Sequence, residues 1–417
     1  MGMTIIQQII ARASGNEEVA VGDKVWCAID LAAMRDFGGP NVVLDYREMF
    51  GDRPVKDPNK VAITFDLHLP ARDAQVANNQ KLLRDFARQT GVHLFDVETG
   101  VGQHTLLENG MVRPYDVIVG TDSHMNLLGA VGAFATGVGT TDLVAAMATG
   151  KLWFKVPETH KFVVEGAFKD RVGAKDLILH VLKDVGTDGL LYKAVEFEGP
   201  TIDSMDLAAR ITTMSMVTEM SGKIGLIESN DKTMEYLTEA TGQLIEEWHA
   251  DDDAPYVEER RYDVSDLPPL VAAPHSPNNV VSVEDLLGTH VDQVFVGSCT
   301  NGRVEDLRSA AEILKDERVD PGMRLIITPA TQNVAKEAVA EGLYNIFIEA
   351  GAIVTNPSCA LCTIGHPGVL AEGDVTMSTS NRNFPGKIGK GGEIYLCSPA
   401  TAAASALYGQ ITDPRGV

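Results

Sequence analysis

Basic residues are scarce in this chain: 35 Lys and Arg stand against 58 Asp and Glu, a formal net charge of −23 over 417 residues. A field of that sign repels a phosphate backbone, so nucleic acid is excluded as an expected partner. Cysteine is scarce as well. Five residues (Cys27, Cys299, Cys359, Cys362, Cys397) are too few and too odd in number for a secreted disulfide framework, and a reduced, cytoplasmic setting is expected. No apolar stretch approaches a membrane span. The start, MGMTIIQQIIARASG, lacks the basic-then-apolar layout of a signal peptide and places Ile6 where a myristoylation signal needs Ser or Thr. A soluble, unanchored protein with no membrane partner is expected. Phosphate-binding loops are missing too: there is no GxxxxGK[ST], and no glycine fingerprint opens a helix after a strand, so a nucleotide cofactor is not indicated.

What is present suits a large globular protein. Hydrophobic residues make up 44% and charged residues 22%, enough to bury a sizeable core, and the length predicts roughly three domains at about 150 residues each. Apolar strand-like runs (KVAITFD, VHLFDVE, YDVIVG, VDQVFVGS, RLIITPA, AIVTNPS) alternate with helix-like segments such as VANNQKLLRDFARQTG, the rhythm of α/β layers. Residues 129–150, rich in Gly and Ala, predict a long small-residue helix in close packing. HKFVVEGAFKDRVGAKDLILHVLKDVG reads as strand, turn and amphipathic helix. Residues 249–279, rich in Asp and Pro, read as a linker. The expected units are residues 1–157, 158–258 and 259–417, the last carrying strands that end just before cysteine-bearing turns.

Those turns are VFVGSCTNGR, with Cys299, and NPSCALCTIGHPG, with Cys359 and Cys362. A CxxC pair plus a third thiol from upstream can converge on one metal centre and leave a coordination position open. Zinc with His366 as fourth ligand and an iron–sulfur cluster fit this spacing about equally. Cys27 and Cys397, in apolar strands, read as ordinary buried thiols.

Taken in order, GTDSH (120–124), GSCTNGR (297–303), the CxxC at Cys359, STSNRNFPGK (378–387) and YLCSPATAAASAL (395–407) resemble the aconitase family of hydro-lyases, and within it the branch of isopropylmalate dehydratase large subunits and their homoaconitase relatives. The resemblance runs the length of the chain. It implies a [4Fe–4S] cluster held by Cys299, Cys359 and Cys362, and three α/β/α units around a cluster-binding cleft. It also implies that the family's fourth, swivelling domain is absent here and supplied by a separate small subunit. The implied reaction is reversible dehydration and hydration of a small 2-hydroxy diacid, of the 3-isopropylmalate dehydratase type. 2,3-Dimethylmalate, citramalate and homoaconitate are alternative substrates, and an iron-sensing RNA-binding regulator is an alternative of another class. In such a reaction a Lewis acid takes the departing hydroxyl, while a base takes a weakly acidic C–H proton beside a carboxylate.

By the same resemblance, Asp66, His68, His104, Asp122, His124 and Glu219 are the expected acid–base groups, and Asn41, Gln103, Ser123, Arg382 and Lys387 the expected substrate contacts. The chain departs from the family pattern in several places. Lys387 stands where the family usually has Arg, and a point-like ammonium cannot form the bidentate pair. Ser215 stands for the usual Asn. Leu67 follows Asp66 where an Asp-His pair is usual, with the imidazole moved to His68, and the usual His-Gln order is reversed to Gln103-His104. These departures favour a divergent member acting on a different substrate.

Overall fold

The computed structural model describes residues 2–243, 248–364 and 366–417. The chain opens with helix α1 (Ile5–Ser14), whose start is fixed by a capping box: the Thr4 hydroxyl accepts from Gln7 N–H at 3.2 Å, and Gln7 Oε1 accepts from Thr4 N–H at 3.1 Å. Ile5, Ile6, Ile9 and Ile10 recur at helical spacing and are all buried.

The first unit continues through β1 (Lys24–Ala28), β2 (Leu31–Arg35), α2 (Gly39–Phe50), β3 (Val61–Thr64), α3 (Ala74–Thr90), β4 (His93–Phe95), α4 (Gly102–Glu108), β5 (Val117–Gly120), β6 (Phe134–Gly137), α5 (Thr140–Thr149) and β7 (Lys151–Lys155). Five of its strands form a parallel sheet in the order β4-β3-β2-β5-β6, while β1 and β7 pair as a separate antiparallel ribbon. β3 and β5 are buried along their whole length, which is why they read as unbroken apolar runs rather than alternating ones.

The second unit holds β8 (Thr159–Glu165), α6 (Ala174–Val185), β9 (Ala194–Glu198), β10 (Ile224–Ile227) and β11 (Glu258–Asp263), in a parallel sheet ordered β10-β9-β8-β11. The third holds β12 (Leu270–Ala272), β13 (Val280–Ser282), β14 (Gln293–Val296), β15 (Arg324–Ile327), β16 (Ile353–Val354), β17 (Val375–Ser378) and β18 (Glu393–Leu396). Its sheet runs β13-β12-β18-β17-β14-β15-β16, parallel from β18 to β16 with an antiparallel margin at β12 and β13. The fold is α/β, with three larger sheets and the two-stranded β1–β7 ribbon among the described residues.

Two local expectations are corrected. Residues 129–150 do not make one long helix: a 3-10 run (Ser123–Val131) is followed by β6 and then α5. The small residues serve a close approach, since a Cβ on Gly129 would lie 1.9 Å from the carbonyl oxygen of Gly225 in the second unit. The stretch 249–279 is not a bare linker but carries β11 and β12. β11 is an edge strand whose side chains are mostly charged, with Arg260 paired to Asp184 at 2.6 Å and Arg261 to Glu165 at 2.7 Å, so apolar alternation could not reveal it. It sits at the seam drawn after residue 258 and pairs with β8 in the second sheet.

Burial pushes four carboxyls outside the site, Asp116, Asp176, Glu196 and Asp306, up to about 7. Their unfolded values lie near 4, so the folded state keeps protons that the unfolded chain releases, and stability is lost as pH rises toward and through 7. The protein is expected to melt at a higher temperature at pH 6.5 than at pH 8. Thermal denaturation across that window checks this, and Glu196→Gln should flatten the dependence.

Candidate active site

In open parallel sheets, ligands collect beyond the carboxyl ends of strands where the strand order reverses. The first sheet reverses between β2 and β5, and the third between β17 and β14. Arg35 ends β2, and Asp122, Ser123 and His124 follow β5. In the third sheet Cys299 lies in the turn after β14, and Thr379–Lys387 form the loop after β17, while Cys359 and Cys362 follow the short β16. The two reversal points face one another across a cavity of about 250 Å³. It is lined by Arg35, Phe37, Leu67, Thr121, Asp122, Ser123, His124, Cys359, Cys362, Thr363, Arg382 and Lys387.

A continuous chain of opposite charges runs along its wall. Arg35 pairs with Asp66 at 2.7 Å and with Asp122. Asp122 also caps the turn after β5, accepting from His124 N–H at 2.8 Å, and its carboxylate lies 3.5 Å from His124 Nδ1. The other ring nitrogen, Nε2, lies 2.9 Å from Glu219 Oε1, and Arg382 Nε donates to both Glu219 oxygens at 2.9 and 3.0 Å. Arg382 Nη2 reaches Ser123 Oγ at 3.2 Å.

Burial opposes charging His124, but hydrogen bonds and charge from Asp122 and Glu219 outweigh it and raise the imidazole to about 9. Asp122 and Glu219 are held below the usual carboxylate range: burial opposes ionisation, and Arg35 and His124 in one case, His124 and Arg382 in the other, overcome it. Asp66 behaves differently. Burial, reinforced by Asp36 and Asp122, pushes it up to about 7 despite Arg35. At neutral pH the wall therefore presents a protonated imidazole locked between two carboxylates.

The three turn cysteines gather here, Cys359 and Cys362 on the cavity wall, all buried and free of disulfides. Contact with the Cys299 thiol pushes the Cys359 thiol well above its ordinary range, and contact with Cys359, together with burial, does the same to Cys362. Thiols crowded in this way stay protonated until a metal centre binds the sulfurs and displaces their protons into solvent. Among the described residues no three His, Cys, Asp or Glu side chains meet around a single ion position; a cubane cluster on three cysteines needs one thiolate on each of three of its irons and no common meeting point. Cys299 is also held by neutral donors: Asn381 Nδ2 donates to its Sγ at 3.7 Å and to Ser215 Oγ at 3.3 Å, and Ser215 Oγ is 2.8 Å from Thr300 Oγ1. Ser215, shorter than the usual Asn, thus belongs to a filled network. The residues present fit a cluster on three thiolates.

The sequence profile of the aconitase family (aconitate hydratase) matches residues 7–409. The chain belongs to the aconitase family. Its members are hydro-lyases known to bind an iron–sulfur cluster, and this chain is a hydro-lyase. It is 46% identical over 417 residues to 3-isopropylmalate dehydratase large subunit 1 of Methanopyrus kandleri, covering 100% of this chain and 99% of that one. It is 43% identical over 418 residues to the probable methanogen homoaconitase large subunit of Methanothermobacter thermautotrophicus, covering 99% and 98%. The crystal structure of aconitase X from Thermococcus kodakaraensis, in its holo-form, superposes with a TM-score of 0.49 at 16% identity, covering 91% and 93%.

Set against the aconitase-family pattern, the expected residues divide into two groups. Asp122, Ser123, His124, Arg382, Lys387, Cys359 and Cys362 line the cavity, and Asp66 and Glu219 reach it through their arginine and histidine partners. The shifted histidines do not line it. His104 is fully buried, its Nε2 lies 2.8 Å from the carbonyl oxygen of Cys299, and burial with nearby Arg303 lowers it to about 3, so it is neutral and braces the cysteine turn. Gln103 is buried beside it, away from the cavity. His68 is buried with its ring 6.3 Å from that of Phe37, and its backbone N–H donates to Asp36. Asn41 stands exposed in the first turn of α2 and is absent from the cavity wall. His366 Nδ1 lies 2.9 Å from the Pro367 carbonyl oxygen.

Three residues escaped the sequence reading. Arg35 is the hub between Asp66 and Asp122, and its only signal was a charge ending an apolar strand. Asn381 lay inside a quoted motif without a role. Lys175, fully buried at the start of α6, donates to the carbonyl oxygens of Thr379 and Ser380 at 2.9 and 2.8 Å and so ties the second unit to the Arg382 loop. Asn381→Ala is expected to cost about 1–3 kcal/mol by leaving buried partners unpaired. Urea denaturation of the apo chain checks this.

Proposed function

We propose that this chain is the large subunit of a dehydratase that interconverts hydroxy-diacid isomers of the 3-isopropylmalate type through an alkene. In this reading it holds a [4Fe–4S] cluster on Cys299, Cys359 and Cys362 and works with a small subunit. The observation that carries the proposal is the gathering of three thiols, two of them on the wall of a cavity that also holds Arg35, Arg382, Lys387 and an imidazole set between two carboxylates. Full-length identity to proteins named as large subunits supports the partner.

The bound cluster would supply Lewis acidity toward the departing hydroxyl and one carboxylate of the substrate. The chain's own residues supply substrate binding and the general acid, and the C–H proton goes to a base on the small subunit. Lys387, above the Phe384 ring at 5.2 Å and without an ion-pair partner among the described residues, is available to an anionic substrate. Arg382 keeps part of its guanidinium beyond Glu219 for the same purpose. His124 holds a proton at Nε2 or Nδ1 to give to leaving water and takes it back on hydration, while Asp122 and Glu219 fix its ring. Arg35, committed to Asp66 and Asp122, is a positioning residue.

The test is anaerobic reconstitution with iron and sulfide, followed by assay of 3-isopropylmalate dehydration by alkene absorbance, with and without the small subunit. Turnover that requires both cluster and partner is expected. A loaded complex inert toward this substrate overturns the substrate assignment, and full turnover by the isolated chain overturns the partner.

A further inference from the structure

The cavity is not uniformly polar. Phe37 and Leu67 stand next to one another on it because each follows an aspartate just beyond a neighbouring strand: Phe37 after Asp36 beyond β2, and Leu67 after Asp66 beyond β3. Leu67 is buried, while Phe37 is 68% exposed, an unusual degree for a phenylalanine and one that leaves its ring over the cavity mouth. The cations are largely spent on carboxylates already present, Arg35 on Asp66 and Asp122, and Arg382 on Glu219. Lys387 alone among the cavity's cations has no ion-pair partner among the described residues.

From this juxtaposition of one cation without an ion-pair partner among the described residues and an apolar wall, we infer that Phe37 and Leu67 are specificity-determining residues that receive a short branched alkyl group on the substrate. The preferred substrate class is then an alkyl-substituted hydroxy-dicarboxylate, not a tricarboxylate. An additional carboxylate facing Phe37 and Leu67 would lose its water without gaining a partner, a cost that a cation-poor wall cannot offset. An isopropyl group in the same place removes apolar surface from water on both sides, and a hydrophobic pocket discriminates by about 10- to 200-fold per methylene-sized difference. The inference rests on the dehydratase reading given above and adds to it the residues that choose among its substrates.

The test compares kcat and KM of the reconstituted two-subunit enzyme for 3-isopropylmalate, citramalate and homocitrate, in the wild type and in Phe37→Ala and Leu67→Ala. Phe37 is exposed, so its truncation leaves the fold intact. The wild type is expected to favour 3-isopropylmalate. Each variant should lose about tenfold or more in kcat/KM for it, mainly through KM, while citramalate changes by less than about twofold. Equal losses on both substrates in Phe37→Ala, or a wild type that prefers homocitrate, overturn the inference while leaving the dehydratase reading standing. A wild type inert toward all three overturns both.

Discussion

Replacing any one of Cys299, Cys359 and Cys362 by serine is expected to bleach the anaerobically reconstituted protein and abolish turnover. Cys359 contacts both Cys299 and Cys362, so the three thiols form one connected set, and removing one leaves two ligands for a centre that needs three. Losing the Lewis acid forfeits several kcal/mol of transition-state stabilisation, a fall in kcat on the order of 10³-fold or more. Iron analysis and visible absorption check the loss of the centre, and the alkene assay checks the loss of turnover. Cys27→Ala is the control: Cys27 lies in β1 within a separate part of the core, and the variant should keep both colour and rate. Bleaching by Cys27→Ala, or full colour in Cys362→Ser, would assign the centre to other ligands.

The second large effect concerns His124. His124→Gln retains a polar group of similar reach but cannot carry the proton, and kcat should fall about 10²- to 10⁴-fold with a smaller change in KM. In the wild type His124 is held up to about 9, so its acid form is complete at neutral pH, and the rate of dehydration should decline as pH is raised through about 9. Glu219→Gln removes one of the carboxylates that holds the proton, so the alkaline limb should move to lower pH while protein and cluster remain. Identical pH profiles in wild type and Glu219→Gln would remove His124 from the proton path.

Much of this arrangement was legible before the fold was known, for physical reasons that differ from residue to residue. The three cysteines stood out because thiols in polar turns after apolar strands are hard to explain as packing, and Cys27 and Cys397 were set apart by the same logic. Asp122 and His124 were found through their position at a strand end. The histidine beside Gln103 was misplaced: a single-residue shift on α4 carried the imidazole away from the cavity and against the Cys299 carbonyl, and no local pattern distinguishes those directions. β11 was invisible because a charged edge strand has no apolar alternation. Residues 129–150 look helical by composition, yet their glycines answer to a backbone in another unit, information absent from any window of sequence. Arg35 escaped because its role exists only once β2 and β5 lie side by side.

The grip of Lys175 on the Thr379 and Ser380 carbonyls spans 204 and 205 residues of chain. During synthesis, this amine therefore emerges from the ribosome long before its acceptors. The turn that carries Arg382 completes this contact only when that later-made segment docks on a section made before it. A nascent chain halted short of that docking displays a hydrated lysine instead of a sealed joint.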